Sequence, residues 1–465
     1  MRADRFFFKY CVYLPATWIR GQNVAGHLAR LRRYERIAPA ERRKLQEARL
    51  SRLLQAARAG VPEYSRRLAR LHAGSLSIQD LATIPTLTKQ DVRDRHEDLQ
   101  YRPQPRFIVA KTTGGSTGEP VTIHKTHTAM AWELAATWRG YAWAGVHIGD
   151  LQARFWGVPL SAAGRRTARL TDFVCHRRRF SAFDFDRDSF LQYDQQLREK
   201  PPDYFYGYVS MIAELARWYT DTGRRLDQPP GAVITTSEVL SPDDRKAIEA
   251  AFGCRVFNEY GCGELGTIAH ECEHGRLHTS DENMIIEILD GERPCRPGEK
   301  GEIVVTELNN IAMPLIRYRT GDFGALSDEP CPCGRTLGVL SDVFGRAYDF
   351  IVAPDGRRFH AEFLVYMFEE AQRQNCGIAQ FRVEQTAPDH LRLLVVPSAS
   401  GFPEHEEMRL VARIRELLGA NMRVTTSRVQ RIQREASGKM RVIVGLQSAS
   451  SRQAPAAPGS TEPRG

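Results

Sequence analysis

The stretch from Lys111 to Thr122, KTTGGSTGEPVT, constrains this chain more than any other. Phe107-Ile108-Val109-Ala110 leads into it and Pro120-Val121-Thr122-Ile123 leads out, so it reads as a loop between two strands. Glycine has no Cβ to hold a ligand off, and the loop therefore bares its backbone N–H groups. The hydroxyls of Thr112, Thr113, Ser116 and Thr117 add donors to the same turn. Converging N–H and hydroxyl donors make an anion site, commonly for phosphate. The spacing is not G-x-x-x-x-G-K-[ST], and no helix pattern follows at once. A plain Gly/Ser hairpin turn has the same composition.

The pattern around the loop is α/β. Residues 24–72 carry Leu45, Leu50, Leu53, Leu54 and Ala57 at helical spacing, with Pro62 as a helix end. Thr88-Lys89-Gln90-Asp91 reads as a helix start. A helix over 128–144 carries Trp132, Trp138 and Trp143, with core packing as their role. A strand over 151–158 leads to an Arg-rich loop. Strands over 203–208, 232–236 and 255–259 alternate with helices over 211–220 and 242–252, which predicts parallel pairing. The aromatic strand 203–208 reads equally as a pocket wall or a buried strand. From 283 the pattern turns to strands (283–289, 302–307, 315–318), read as a β subdomain. From Gly345 a small α+β unit follows. The expected architecture is a large multi-subdomain α/β domain with parallel-rich sheets and a small C-terminal α+β lid. Its divisions are 1–79 (helical), 80–344 (core), 345–447 (lid) and 448–465, a Ser/Ala/Pro-rich tail read as disordered.

A net charge of +9 favours anionic ligands or a membrane surface without choosing between them. No nucleic-acid-binding module is recognisable, so no nucleic-acid partner is expected. No apolar run reaches the roughly 20 residues that span a bilayer. The aromatic N-terminus, residues 6–18, lacks the plan of a signal peptide and reads as a packed helix or an interfacial one. An odd count of nine cysteines in a long chain fits reduced thiols in the cytoplasm.

Four further segments carry chemistry. Asn258-Glu259-Tyr260-Gly261-Cys262-Gly263-Glu264 follows a strand, where ligands bind in α/β sheets. Tyr260 suits stacking on a base, and Glu264 supplies a carboxylate of the type that holds Mg²⁺ beside phosphates. Arg317-Tyr318-Arg319-Thr320-Gly321-Asp322 places an Asp just past a strand, suited to ribose hydroxyls or to a simple turn. Gly345-Arg346 opens the small unit, and Ser437-Gly438-Lys439 puts a lysine in a loop near its end. Cys272, His278, Cys331 and Cys333 form a Cys₃His set of the kind that binds zinc tetrahedrally, with His274 as a competing fourth ligand. Buried or incidental cysteines are the alternative.

In this order the segments resemble the adenylate-forming superfamily, over roughly residues 80 to 445, and in detail its phenylacetate–CoA ligase branch with the CapK-like capsular-polysaccharide relatives. The resemblance implies that Thr113, Gly114, Gly115, Ser116, Thr117 and Gly118 hold the β- and γ-phosphates of ATP. It implies that Ser237, Glu238, Asn258, Glu259, Tyr260 and Gly261 line the adenine and acyl pocket, and that Glu264 binds Mg²⁺. Asp322 then holds the ribose with Arg346 close by, and Lys439 approaches the carboxylate and α-phosphate. Some relatives in this branch carry a structural zinc. Two departures stand out. Glu119, not lysine, follows the last loop glycine, and Ala347 and Tyr348 precede Asp349 where relatives have paired acids.

The function implied is ATP-dependent formation of an acyl-adenylate, then a coenzyme A thioester of an aryl or related acid. Transfer to a saccharide, amine or carrier is the second reading, and a degenerate nucleotide-binding protein the third. The resemblance is compatible with a homodimer.

Overall fold

The chain divides into two units, one of Met1–Thr113 with Val121–Ala347, the other including Tyr348–Gly465. The computed structural model describes residues 3–69, 78–113, 121–157, 162–181, 187–238, 240, 242–343, 350–360, 362–374, 376–398, 400–432 and 443–446. Gly114 to Gly118, Arg346, Lys439 and the 448–465 tail lie outside them, and the side chain of Thr113 is likewise not described.

In the large unit a hairpin joins β1 (Ile108–Thr113) and β2 (Val121–Thr126), the strands on either side of the glycine-rich segment in sequence, paired from Ile108↔Thr126 to Thr113↔Val121. The main sheet contains β3 (Gln152–Trp156), β4 (Arg177–Ser181), β5 (Tyr204–Tyr208), β6 (Ala232–Thr236), β7 (Val256–Cys262), β8 (Gly266–Glu271), β9 (Leu277–Thr279), β10 (Met284–Asp290), β11 (Arg293–Pro294), β12 (Gly301–Glu307), β13 (Tyr318–Ser327) and β14 (Val339–Val343). Its order is β11-β10-β12-β13-β14-β9-β8-β7-β6-β5-β3-β4. From β4 to β7 neighbours are parallel. They are linked through the helices Ala162–Val174, Arg187–Glu199, Val209–Asp221 and Pro242–Phe252. Helices over both faces explain why every residue of β5 and β6 is buried.

Three expectations are corrected here. The strands after 283 form no separate β subdomain. They continue the same sheet through antiparallel ladders, which makes it mixed rather than parallel-rich. The Arg-rich stretch after β3 is not all loop. It contains a helix, Ala162–Val174, on which Leu170 and Phe173 are exposed. The strand expected over 315–318 begins at Tyr318 instead, because Arg317 takes a left-handed φ of 52°. Arg317 is held there by Glu287 and by the carbonyls of Ala82 and Ile84. Asp322 thus lies inside β13, not past a strand.

The helices Pro39–Gly60 and Pro62–Arg67 pack Leu50, Leu53, Leu54, Ala57 and Tyr64 into the core, and Pro62 opens the second rather than simply ending the first. Helix His127–Trp143 covers the parallel half of the sheet through Trp138 and Tyr141, and Trp138 Nε1 donates to Tyr13 Oη at 2.7 Å. The N-terminal residues are helical, yet only Tyr13 of its large rings is buried; Phe6, Phe7, Tyr10 and Trp18 are exposed.

The small unit has a hairpin, β15 (Phe350–Val352) and β16 (Arg358–His360). A sheet of β17 (Ile378–Ala387), β18 (His390–Pro397), β19 (Arg423–Arg428) and β20 (Ile443–Val444) follows, in the order β19-β18-β17-β20. Helices Glu362–Arg373 and Glu404–Leu418 accompany it. Phe368 stacks on Phe381 at 4.4 Å in its core.

Candidate nucleotide site and metal centre

The base of the glycine-rich hairpin is fixed by buried charge. Lys125 on β2 is fully buried. Its Nζ donates to Glu133 Oε2 at 3.0 Å, to Glu307 Oε1 at 2.9 Å and to the Leu265 carbonyl at 3.1 Å. Lys111 on β1 reaches the other Glu133 oxygen at 2.5 Å. Burial alone would raise the Glu133 carboxyl; Lys111 and Lys125 outweigh it and hold it low. Lys125 is therefore a structural cation, and the sequence offered no sign of its partners.

At the carboxyl end of β7 the chain turns back into β8 through Gly263-Glu264-Leu265. A Cβ on Gly261 would collide with the Gly266 carbonyl, and one on Gly266 (φ 84°) would collide with Glu133. Glycine is required at both for this close approach. The turn buries Glu264, and Oε1 lies 3.2 Å from Lys89 Nζ, with side chains 5% and 11% exposed. Lys89 arrives there because Thr88 caps its helix in a capping box with Asp91. Leu87, just before, bridges to Tyr318. Sequence reasoning found the helix start and missed the lysine.

Tyr260 Oη donates to Asp322 Oδ2 at 3.0 Å, which joins two motifs 62 residues apart. Both side chains are buried. Asp322 is also fixed through its backbone N–H, which donates to Thr320 Oγ1 at 3.1 Å. Asn258 donates its N–H to Glu271, while its buried Oδ1 has no partner among the described residues. Ser237 ends β6 exposed with φ at 68°, a strained conformation for serine, and Glu238 follows, partly buried. Glu259 accepts from Tyr206 Oη at 3.3 Å and Thr236 Oγ1 at 3.4 Å. Burial lifts its carboxyl to about 7 against hydrogen bonds and the Arg154 charge, which pull it down. Asn258, Glu259, Tyr260, Gly261 and Glu264 thus gather at the carboxyl ends of β6 and β7, and Asp322 on β13, four positions from β7 in the strand order, joins them through its hydrogen bond with Tyr260.

The metal-ligand set also assembles. One donor atom each from Cys272, His278, Cys331 and Cys333 lies within 4.8 Å of the others. Cys272 and Cys331 sulfurs are 3.6 Å apart, and Cys333 Sγ is 3.2 Å from His278 Nε2. Two thiolates at tetrahedral positions around zinc lie about 3.8 Å apart, from Zn–S bonds of about 2.3 Å. His278 Nδ1–H donates to the Leu337 carbonyl at 3.3 Å, which turns the Nε2 lone pair toward the sulfurs. His274 has another place: its backbone N–H donates to Cys272 Sγ at 3.4 Å.

The family model of AMP-binding enzymes matches residues 47–313, and that of the CapK C-terminal domain residues 351–445. The chain is similar to the phenylacetate-coenzyme A ligase of Thermus thermophilus, 26% identical over 337 residues, 67% of this chain and 71% of that one. It is also similar to Protein CapK of Staphylococcus aureus, 25% identical over 287 residues, 60% of this chain and 62% of that one. A solved 2-hydroxyisobutyryl-CoA ligase, in complex with 2-HIB-AMP and CoA, shares the fold with a TM-score of 0.59 at 21% identity, covering 90% of this chain and 93% of its own. The chain belongs to the AMP-binding enzyme family, as an AMP-forming acid–thiol ligase of the acyl-CoA synthetase type.

Proposed function

We propose that this ligase activates an aryl or related carboxylic acid with ATP and passes the acyl group to coenzyme A in the cytoplasm. The observation that carries the reading is the tie between Tyr260 and Asp322 beside the buried Glu264, at the carboxyl end of β7. A carboxylate oxygen of the acid attacks the α-phosphorus of ATP, the α–β anhydride bond breaks, and pyrophosphate leaves with the electron pair. The thiol of coenzyme A then attacks the acyl carbon, loses its proton, and AMP departs. Thr113 to Gly118 are assigned to the β- and γ-phosphates, and Ser237, Glu238, Asn258, Glu259, Tyr260 and Gly261 to the adenine and acyl walls. Asp322 is assigned to the ribose with Arg346, and Lys439 to the charge on the α-phosphate.

Glu264 is a carboxylate of the type that suits a hard cation and would hold magnesium in competition with the Lys89 ammonium; the ion would offset phosphate charge. The Cys₃His set suits zinc, held by Cys272, His278, Cys331 and Cys333. With all four positions taken by protein, its part is structural. Pyrophosphate release that requires ATP and an organic acid, and thioester formation that requires coenzyme A, is the expected result. Release without thioester would favour the second reading, transfer to a saccharide, amine or carrier, which the CapK C-terminal match supports.

A further inference from the structure

One face of the parallel strands leads away from the nucleotide residues as a continuous strip. Glu259 on β7 pairs with Thr236 on β6, Thr236 with Tyr208 on β5, and Tyr206 on β5 with Arg154 on β3. The guanidinium of Arg154 lies over two rings that stack on each other, 4.5 Å from the centroid of Trp156 and 4.9 Å from that of Tyr206, with the two centroids 5.9 Å apart. Trp156 stacks in turn on Tyr208 at 4.2 Å. Arg154 is only partly buried, but its Nε is fully covered and has no hydrogen-bond partner. No carboxylate pairs with it among the described residues. Its neighbours on β4 differ: Arg177 and Arg179 share Asp172, at 2.5 and 3.0 Å. Among the described residues, three cations stand against one carboxylate at this end of the strip.

Unpaired charge is costly where water is scarce, and a planar guanidinium held by ring faces is shaped for two parallel bonds to a carboxylate. We infer that Arg154 receives a second carboxylate of the acid substrate, so that the enzyme selects a dicarboxylic acid. The inference rests on the ligase reading above. The reacting carboxylate cannot be the group concerned. It must meet the α-phosphate near the Glu264 turn, and β3 stands three strand positions from β7, about 14 Å at 4.8 Å per strand. Arg154 therefore faces the far end of the acyl group, with Trp156, Tyr206 and Tyr208 flanking the chain between. The rival role is a long-range balance for Glu259, whose carboxyl the Arg154 charge pulls down.

Pyrophosphate release, measured with hexanoate against adipate and phenylacetate against 4-carboxyphenylacetate, separates the two. The diacid of each pair should be favoured in kcat/KM by about 10- to 100-fold, the range for hydrogen bonds to a charged group. Arg154→Met should erase that preference through KM for the diacid and leave the monoacid unchanged, while Arg154→Lys keeps part of it. Equal use of both acids by the wild type, or an equal loss for both in Arg154→Met, would overturn the inference and leave a balancing role. Should Arg154→Met fail to fold, the wild-type preference and Arg154→Lys decide alone. No release with any acid of a wider panel would instead defeat the ligase reading itself.

Discussion

The ammonium of Lys89 sits 3.2 Å from Oε1 of Glu264, in a pair almost closed to solvent. A cation is thus already in place at the carboxylate assigned to magnesium. Lys89→Met takes one ammonium away from the buried Glu264 carboxylate and should cost about 2 kcal/mol, the scale of a hydrogen bond to a charged group. It should also lower the magnesium concentration needed for half-maximal pyrophosphate release, because a competing charge is gone. Glu264→Gln should raise that concentration. A magnesium titration of both variants checks the opposed shifts.

Lys439→Ala should cut acid-dependent pyrophosphate release by about 100-fold or more, the scale for removing one preorganised charge stabiliser. Thioester formation from supplied acyl-adenylate should fall far less. Equal losses in the two assays would remove Lys439 from the adenylation step.

Purified protein should carry one zinc per chain by elemental analysis. Cys331→Ser with Cys333→Ser should lose it and melt at a lower temperature, since metal affinity adds directly to folding free energy. Intact folding and activity in zinc-free protein would contradict the assignment.

Stability should also depend on pH through Glu259. Its carboxyl stands at about 7 in the folded chain, above the ordinary value of 4.5. The contribution of the protonated form is complete below about 4.5 and is lost as pH rises through 7. A shift of this size corresponds to about 3 kcal/mol. Urea midpoints at pH 5 and pH 8 should differ more in the wild type than in Glu259→Gln.

What the sequence disclosed and what it withheld divide by range. The capping box at Thr88, the β1–β2 hairpin around the glycine-rich segment and the strand running into Tyr260 are set by residues a few positions apart, and each is legible. The approach of Lys89 to Glu264 depends on a bridge from Leu87 to Tyr318, and the setting of Arg154 on the pairing of β3 with β5. Neither leaves a local mark. The misplaced strand at 315–318 has the same origin. Leu315 and Ile316 look like strand residues, yet Arg317, anchored to Ala82, Ile84 and Glu287, breaks the run with a positive φ. The four candidate donors, Cys272, His278, Cys331 and Cys333, were legible as a set because cysteine and histidine have few other reasons to cluster, but their convergence with His278 rather than His274 needed β9, which the sequence pattern did not reveal.

Strand β8 is six residues long, about 20 Å. It begins two residues after Glu264 and ends one before Cys272. A change of geometry at the cysteine cluster therefore acts on one end of a strand whose other end carries the Glu264 turn.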